Sequence, residues 1–333
     1  MQREKAPFLI RLIVWLVLVL LLVGVGGFIY WNNMIKAVDA NGQPKAFVIQ
    51  PGESVDAIAN SLEKQGLVKS SLIFKVMLKL SGDSTKIEAG DYKLSGAMST
   101  VEIVQTLNKG AIDRWVTLIE GWRVEQVAKQ LNQDLGVKTD EVLQAAKGKE
   151  GHLFPDTYLF NKDVTTKDIV SVLENTFNKK YAANLQAKIK ANGLTSEQGV
   201  VLASIVEREG RTDKVRENIA SILLKRFKIE MALQVDATVQ YAKDTQSLKE
   251  GKLTKFWQPI TKADYKEVES PFNTYLHPGL PPTPICNPSL SSLKAVANAD
   301  SSTEYLYYYV DSQGNIYYAK TLDEHNVNIA NHH

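Results

Sequence analysis

The sequence has 333 residues, enough for two or three domains, with 44% hydrophobic and 23% charged residues, an ordinary globular composition. A net charge of +2 gives no electrostatic reason to expect nucleic acid as a partner, and the single cysteine excludes an intramolecular disulfide and a Cys/His metal cage. The chain has no HExxH pair, no GxxxxGKS or GxxxxGKT loop and no GxSxG elbow. We therefore expect no metal site.

Residues 12–31 form an uncharged apolar stretch of 20 residues. A helix of that length is about 30 Å long, which matches the hydrocarbon core of a bilayer. Basic residues lie before it, so the positive-inside rule places residues 1–11 in the cytoplasm and the rest of the chain outside. A cleaved signal peptide is the alternative, although its apolar region is usually shorter. We expect a single transmembrane helix followed by a polar stalk at 32–45.

Residues 46–110 have the pattern of a small α+β unit. A strand is predicted at 46–50, and a helix should follow Ser54, a plausible N-cap. A second helix is predicted at 71–81, a strand at 90–94, and a third helix after the capping box of Ser99 and Glu102. The segment VIQPGESVDAIA resembles the first half of a LysM module, which binds peptidoglycan sugars; a generic strand–turn–helix start is the alternative.

A larger α+β unit is predicted over residues 111–333, mostly helical around Glu207. A strand is expected near residue 115, and one long helix is expected from Thr165 to near Gly193. Thr195 and Gln198 form the capping box of the helix that carries Glu207. Aromatic segments on either side of a glycine-containing turn predict a β-hairpin at 305–320.

The helix that carries Glu207 is apolar on nearly every side, which is typical of a buried helix. Glu207 lies on the side with small residues, beside Ala203 and Ser204, and Glu209 lies on the side with bulky ones. Small side chains leave space beside the carboxylate, as in a pocket wall, and burial favours its protonated form. Such an acid can protonate a leaving group. The alternative is an ordinary salt bridge to a nearby arginine.

Two further segments carry polar residues that suit sugar recognition. The segment 270–292 has six prolines and is expected to be a stiff loop that presents hydrogen-bonding and aromatic groups; a polyproline surface segment is the alternative. The segment 231–242 lies at the start of a probable helix, where an aspartate is more often an N-cap than a catalytic group. The candidate binding residues are Gln234, Asp236, Thr238, Asn273, Thr274, Tyr275 and Asn287. Asp156 and His325 are weaker candidates, for which a structural role is the simpler interpretation.

Several long segments together closely resemble the endolytic peptidoglycan (murein) transglycosylases of the MltG or YceG-like family. The segments are GHLFPDTYLF, ASIVERE, LQVDATVQYA, SPFNTYLHPGLPPTPICNPS and YLYYYVDSQGNIYYAKTLDEHN. The resemblance implies that Glu207 is the catalytic glutamate and raises the LysM-like interpretation of residues 46–110 above its alternative. It also implies a single-pass protein of the bacterial inner membrane, with its catalytic domain in the periplasm, working beside cell-wall synthases (penicillin-binding proteins).

The reaction that this resemblance implies is cleavage of the β-1,4 bond between N-acetylmuramic acid and N-acetylglucosamine within a glycan strand. One glutamate would protonate the glycosidic oxygen and then deprotonate the C6 hydroxyl of the muramic sugar, which closes a 1,6-anhydro ring without a cofactor. A two-carboxylate hydrolase and a non-catalytic peptidoglycan-binding scaffold are the rivals. The chain departs from the family pattern at Val235, Ala237 and Ser289, where the family often has threonine, proline and glycine.

Overall fold

The computed structural model describes residues 8–82, 87–111, 113–161 and 163–332, and from residue 12 onward the side chains as well. The chain forms two compact units. One contains Met1–Trp115 and Leu159–Asp163, and the other contains Val116–Tyr158 and Val164–His333. The predicted α+β class is confirmed, because helices and antiparallel strands occur together in the chain. That residues 46–110 are LysM-like and that 111–333 form a separate catalytic domain stays a prediction.

In the first unit, the described residues form four helices and the first two strands of a four-stranded sheet. Its elements are α1 Phe8–Met34, β1 Lys45–Ile49, α2 Val55–Lys64, α3 Ser71–Leu80, β2 Gly90–Leu94 and α4 Thr100–Asn108. Strands β3 Asp113–Thr117 and β4 Thr157–Asn161 complete the sheet, whose order is β1-β2-β3-β4. Strands β1 and β2 are antiparallel, with Lys45 opposite Leu94. The inner faces of these strands and of α2, α3 and α4 form the unit's hydrophobic core.

Helix α1 agrees with the predicted span. The part of it from Leu12 to Met34 has a mean hydropathy of 3.0, and its apolar window has no side chain buried within the protein. An apolar helix whose side chains have no protein core to pack against is stable when lipid surrounds it, because lipid satisfies the same preference for apolar contact. By length and composition α1 is therefore a candidate membrane span.

The second unit is mostly helical. Its helices are α5 Val124–Leu135, α6 Thr139–Ala145, α7 Thr166–Lys180, α8 Ala183–Ala191, α9 Ser196–Glu209, α10 Asp213–Lys228, α11 Asp236–Lys249, α12 Asp264–Glu267, α13 Leu290–Ala297 and α14 Leu322–His332. Strands β5 Tyr307–Val310 and β6 Ile316–Ala319 form the predicted hairpin, with Tyr308 opposite Tyr318.

Helix α9 lies at the centre of the second unit. Every residue from Gly199 to Val206 is buried, as its continuous apolar sequence predicts. Helices α8, α10, α11 and α13 contact it and contribute to the same core. The capping box of Thr195 and Gln198 at its start is confirmed, so α9 begins where the sequence indicates.

The long helix predicted from Thr165 to Gly193 is wrong, because the chain breaks between α7 and α8. Tyr181 ends α7 with non-helical backbone, and its hydroxyl donates to the carbonyl of Ser196 at 2.8 Å. The Gln186 side chain donates to the carbonyl of Tyr181, which the break leaves without a helical partner. The Tyr181 bond is a tertiary contact with the start of α9, and helical periodicity carries no information about it.

Candidate active site

Glu207 lies in the last turn of α9 and keeps only 5% of its side chain exposed. Its Oε1 accepts a hydrogen bond from Arg216 Nη2 at 3.1 Å, which completes an ion pair. Its Oε2 accepts from the backbone N–H of Ser289 at 2.8 Å, from the Ser289 hydroxyl at 2.5 Å and from the Ser292 hydroxyl at 2.7 Å. The carboxylate is therefore enclosed by one cation and three further donors, all of which favour its charged form.

The donors reach Glu207 because two helices begin beside it. Ser289 is the N-cap of α13, so the unpaired N–H groups and the positive end of that helix lie against the carboxylate. Arg216 lies in the first turns of α10, which starts just after α9 ends. The alternative interpretation, a salt bridge to a nearby arginine, is thus present, and its cation comes from the next helix rather than from α9.

The space expected beside the small residues of α9 is filled, so the expectation of an open pocket wall there is wrong. The Ser204 hydroxyl accepts a hydrogen bond from Ile285 N at 3.0 Å, and the Cys286 thiol donates to the Ser204 carbonyl at 3.2 Å. A Cβ at Gly151 would lie only 2.5 Å from Pro284. Two small residues, Ser204 on α9 and Gly151 in the loop before β4, thus let the proline-rich segment pack directly against the helix.

A second carboxylate, which the sequence did not single out, lies near Glu207. Gly121 (φ +75°) forms a turn in which an added Cβ would be 3.5 Å from Glu207 Cγ, so the residues on either side of Gly121 are close to the site. Partial burial, and then the negative charge of Glu207, raises the pKa of Glu120, a residue that is otherwise exposed. The available signal was the glycine turn in IEGW, which follows the strand at residue 115 directly.

Glu209 projects to another side of α9 and has different neighbours. The Tyr308 hydroxyl donates to its Oε2 at 3.1 Å. Burial raises the pKa of Glu209 to about 7, and the negative charge of Asp236 adds to the shift. The Tyr275 hydroxyl in turn donates to Asp236 at 2.6 Å, and the Tyr275 ring stacks on that of Tyr265. Two of the predicted binding residues therefore gather on the side of Glu209.

The other predicted binding residues differ in exposure. Gln234 is exposed and has a left-handed backbone (φ +50°), whereas Thr238, Asn273, Thr274 and Asn287 are all buried. The buried residues bond to the protein itself: the hydroxyls of Thr238 and Thr274 lie 2.9 Å apart, and Asn273 donates to the Val268 carbonyl. They hold the segment 270–287 against α11 and the neighbouring loop.

Asn287 connects the proline-rich segment to the turn beside Glu207. Its backbone N–H donates to the Trp122 carbonyl, and its carbonyl accepts from Gly121 N–H. Its side chain donates to Glu150, another group that the sequence did not single out. Burial, and then the negative charge of Glu125, raises the pKa of Glu150 to about 8. Asn287 thus fixes the Glu120–Trp122 turn from within the protein.

The two weaker candidates have ordinary structural contacts. Asp156 accepts a hydrogen bond from the N–H of Thr157, as a turn-stabilising aspartate does. The His325 ring stacks on Tyr307, and burial lowers the pKa of His325. Within the described residues, no group of three or more His, Cys, Asp or Glu side chains is placed to hold a metal ion.

Comparisons with known proteins agree on one family. The sequence profile of the YceG-like family matches residues 47–331. A Bacillus subtilis protein named endolytic murein transglycosylase is 32% identical, with 90% of this chain and 88% of that protein covered. A Streptococcus pneumoniae protein of the same name is 29% identical over 93% of this chain, which spans 62% of that relative's length.

The fold has a relative among solved structures. A YceG-like protein from Listeria monocytogenes, known from a crystal structure, matches 86% of this chain and 98% of its own, with a TM-score of 0.63 and 28% identity. The family profile covers well over half of the chain, including α9 and the segments that contact Glu207. The chain therefore belongs to the YceG-like family.

Proposed function

We propose that the chain is an endolytic murein transglycosylase in which Glu207 is the catalytic carboxylate. It would cleave the β-1,4 bond between N-acetylmuramic acid and N-acetylglucosamine inside a peptidoglycan strand and leave a 1,6-anhydro end. The main support is the enclosed Glu207 carboxylate, held by Arg216 and by the start of α13, in a family whose relatives carry that enzyme name.

The two oxygens of Glu207 are suited to different tasks. Oε2 accepts two hydrogen bonds from Ser289, the N-cap of α13, and one from Ser292 in the first turn of that helix. These three bonds fix the plane of the carboxyl group. Oε1 accepts from Arg216. We propose that Oε1 exchanges the proton with the substrate, and that Arg216 yields its contact when the protonated acid forms, since a guanidinium cannot accept a hydrogen bond.

In the proposed reaction, Glu207 first protonates the glycosidic oxygen, and an oxocarbenium-like species forms at C1 of the muramic sugar. The carboxylate, now in the charged form that its neighbours favour, takes the proton of the C6 hydroxyl as that oxygen attacks C1. The reaction consumes no water, and the intramolecular nucleophile acts at high effective concentration. The enclosed negative charge would also stabilise the positive charge that develops on the sugar.

Exposure divides the proposed substrate contacts. Gln234 and Asp236 are exposed, and Tyr275 is partly exposed, so these three have surface that a glycan strand can reach. We propose that they bind the strand. Thr238, Asn273, Thr274 and Asn287 are buried, and we propose that they act by holding the loop in place.

A two-carboxylate hydrolase is the second candidate, because a second carboxylate, that of Glu120, lies near Glu207. The raised pKa of Glu120 suits a general acid, while the donors around Glu207 suit a charged base or nucleophile. In that reaction a water molecule, rather than the C6 hydroxyl, would attack C1. The two reactions have different products, because an anhydro end is one water lighter than a reducing end.

The experiment that tests the proposal is mass spectrometry of peptidoglycan digested by the full-length protein. Wild type should release anhydro fragments, and Glu207→Gln should release almost none. Glu120→Gln should retain activity if Glu207 alone serves as acid and base, with Asp156→Asn and Asp236→Asn run in parallel as other candidate second carboxylates. Hydrated reducing ends together with an inactive Glu120→Gln variant would support the hydrolase instead. Binding of sacculi without release of fragments would support a non-catalytic scaffold.

We also propose that α1 anchors the protein in the bacterial inner membrane, with the catalytic part in the periplasm beside cell-wall synthases. The support is the apolar α1 helix, 27 residues long, and the basic residues before it. A protease added to intact spheroplasts should digest the part of the protein that follows α1. Protection of that part would contradict the proposed orientation.

A further inference from the structure

A cavity of about 960 Å³ opens beside the candidate active site, and Arg208 and Trp122 both line it. Arg208 follows Glu207 in the chain, and Trp122 follows Gly121, whose Cβ position would lie 3.5 Å from Glu207 Cγ. We call this cavity the Trp257 pocket, because Trp257 lies against Arg208 at its wall. A strand bound at Glu207 would thus have the pocket within reach of its substituents.

Arg208 lines the pocket with its guanidinium against the Trp257 ring. Its guanidinium carbon lies 4.0 Å from the centre of the Trp257 ring, a cation–π contact that fixes the plane of the group. Its Nε is buried and has no hydrogen-bond partner within the described part of the chain. A planar guanidinium is the group that proteins use to bind carboxylates, and this one keeps an unused donor at Nε.

The backbone of Trp257 is strained in a way that maintains this arrangement. Its φ of +61° lies in the left-handed region, which a residue with a bulky side chain rarely adopts. Two contacts hold it there: its N–H donates to Asp244 at 2.5 Å, and its indole Nε1 donates to Gln126 at 3.2 Å. Strain that the surroundings enforce is typical of binding and catalytic sites.

The charges around the Trp257 pocket are mostly positive. Lys129 and Lys255 line it together with Arg208, and both lysines are exposed. The carboxylate among the lining residues, Glu125, forms an ion pair with Arg123 at 3.1 Å. The pocket therefore has a surplus of cations, which an uncharged sugar would not need and an anionic ligand would.

We propose that the Trp257 pocket binds the carboxylates of the peptide stem that peptidoglycan strands carry on their muramic sugars. The inference rests on the proposed function, since it assigns the same substrate a second contact. The stem supplies free carboxylates a short distance from the glycosidic bond, and the pocket supplies one guanidinium held against Trp257 and two exposed ammonium groups. The protein would thus select strands that still bear their stems.

Binding of a soluble stem peptide tests the proposal without any cleavage step. The probe is the synthetic pentapeptide L-Ala-γ-D-Glu-L-Lys-D-Ala-D-Ala, titrated into the full-length protein in detergent and followed by calorimetry. Wild type should bind it, and the Lys129→Gln/Lys255→Gln variant should bind about fivefold more weakly, because two exposed cations contribute modestly. Arg208→Gln should weaken binding by about tenfold or more, since the fixed guanidinium contributes most.

A matched control has the same change of charge outside the pocket. Lys167 and Lys190 are exposed and lie on α7 and α8, so the Lys167→Gln/Lys190→Gln variant should bind like wild type. Equal binding by wild type and the pocket variants, or no binding by wild type, would overturn the proposal.

Glycan strands provide a second measurement. Stem-bearing strands should bind more tightly than strands stripped of their stems by an amidase, with the Glu207→Gln protein used so that neither is cleaved. Equal affinity for both would overturn the proposal and make the pocket a saccharide site. Failure of the transglycosylase proposal would instead appear as intact strand binding by a wild-type protein that cuts nothing.

Discussion

Glu207 and Glu209 are two residues apart in α9, yet their carboxyl groups have opposite surroundings. Glu207 accepts hydrogen bonds from the guanidinium of Arg216 and from Ser289, the N-cap of α13, and both compensate its negative charge. Glu209 accepts a hydrogen bond from the Tyr308 hydroxyl. Burial raises the pKa of Glu209 to about 7, and the negative charge of Asp236 adds to the shift. Since successive helical residues are separated by about 100°, a step of two residues directs a side chain to a different set of neighbours.

In α9, the acid whose pKa burial raises and the acid that we propose as catalytic are therefore different residues. The sequence suggested that an apolar helix would keep Glu207 protonated, but the group whose neutral form burial clearly favours is Glu209. The family resemblance and the convergence of α10 and α13 favour Glu207 as the group that acts on substrate. Substitution of each acid separates these two properties.

The largest expected effect comes from removing each acid in turn. Glu207→Gln should lower the rate of cleavage by about 10²- to 10⁴-fold, the range over which a general acid–base group usually contributes. Glu209→Gln should lower it by less than about tenfold, because that carboxyl accepts a hydrogen bond from Tyr308 rather than from the groups that enclose Glu207. Release of soluble fragments from sacculi measures both rates. A greater loss in Glu209→Gln than in Glu207→Gln would reverse the assignment.

Arg216→Met should reduce the free energy of unfolding by about 3 kcal/mol, because it leaves a largely buried carboxylate without its cation. The double variant Arg216→Met/Glu207→Gln should recover much of that loss, since it removes the uncompensated charge as well. Urea denaturation followed by tryptophan fluorescence measures both values. If the double variant is as unstable as Arg216→Met, the destabilisation has a source other than the ion pair.

Glu209 should make the protein less stable as the pH rises. Its pKa is about 7 in the folded protein against an ordinary value of 4.5, so the folded state binds the proton more tightly. The stabilisation that the Glu209 proton gives to the folded state is complete below about pH 4.5 and is lost as the pH rises towards 7. The free energy of unfolding falls by about 2 to 3 kcal/mol over this range.

The Glu209→Gln variant isolates this contribution. Subtracting its unfolding free energies at pH 5 and pH 8 from those of wild type removes other groups with a similar dependence, such as Glu150. The wild type should lose about 2 kcal/mol more than the variant over that interval. Parallel curves for the two proteins would show that Glu209 ionises normally.

The smallest effect concerns the serine that caps α13. Ser289→Ala and Ser54→Ala each remove an N-cap hydroxyl and should each cost about 1 kcal/mol of stability. Only Ser289 also donates to Glu207, so only Ser289→Ala should also lower the rate of cleavage, because the carboxyl group loses a contact that orients it. Release of soluble fragments by both variants checks this, and equal rates would contradict it.

Local features of the fold were predictable because they depend on neighbouring residues. The capping boxes at Ser99 and Thr195, the burial of α9 and the hairpin at 305–320 follow from spacing and polarity within a few residues. The break at Tyr181 was not predictable in the same way, because it is accompanied by a hydrogen bond to a residue 15 positions away.

The candidate site was predictable only in part. Glu207 follows from its sequence and from the family resemblance, but its partners Arg216, Ser289 and Ser292 come from two other helices. Ser289 was noted as a mild departure from the family pattern, and the structure places its hydroxyl directly on the carboxylate. Glu120 was missed because a carboxylate in a short turn has no periodicity that would mark it.

Substitution of Gly121 should affect two parts of the molecule at once. The Gly121 φ of +75° and the position of Arg208 Nη1, 3.1 Å from an added Cβ, make any other residue there both strained and crowded. Glu120, the residue before Gly121, lies near Glu207 at the proposed site of cleavage. Trp122, the residue after it, lines the Trp257 pocket. A substitution at this one codon should therefore impair bond cleavage and strand selection together, and a suppressor that restores one should restore both.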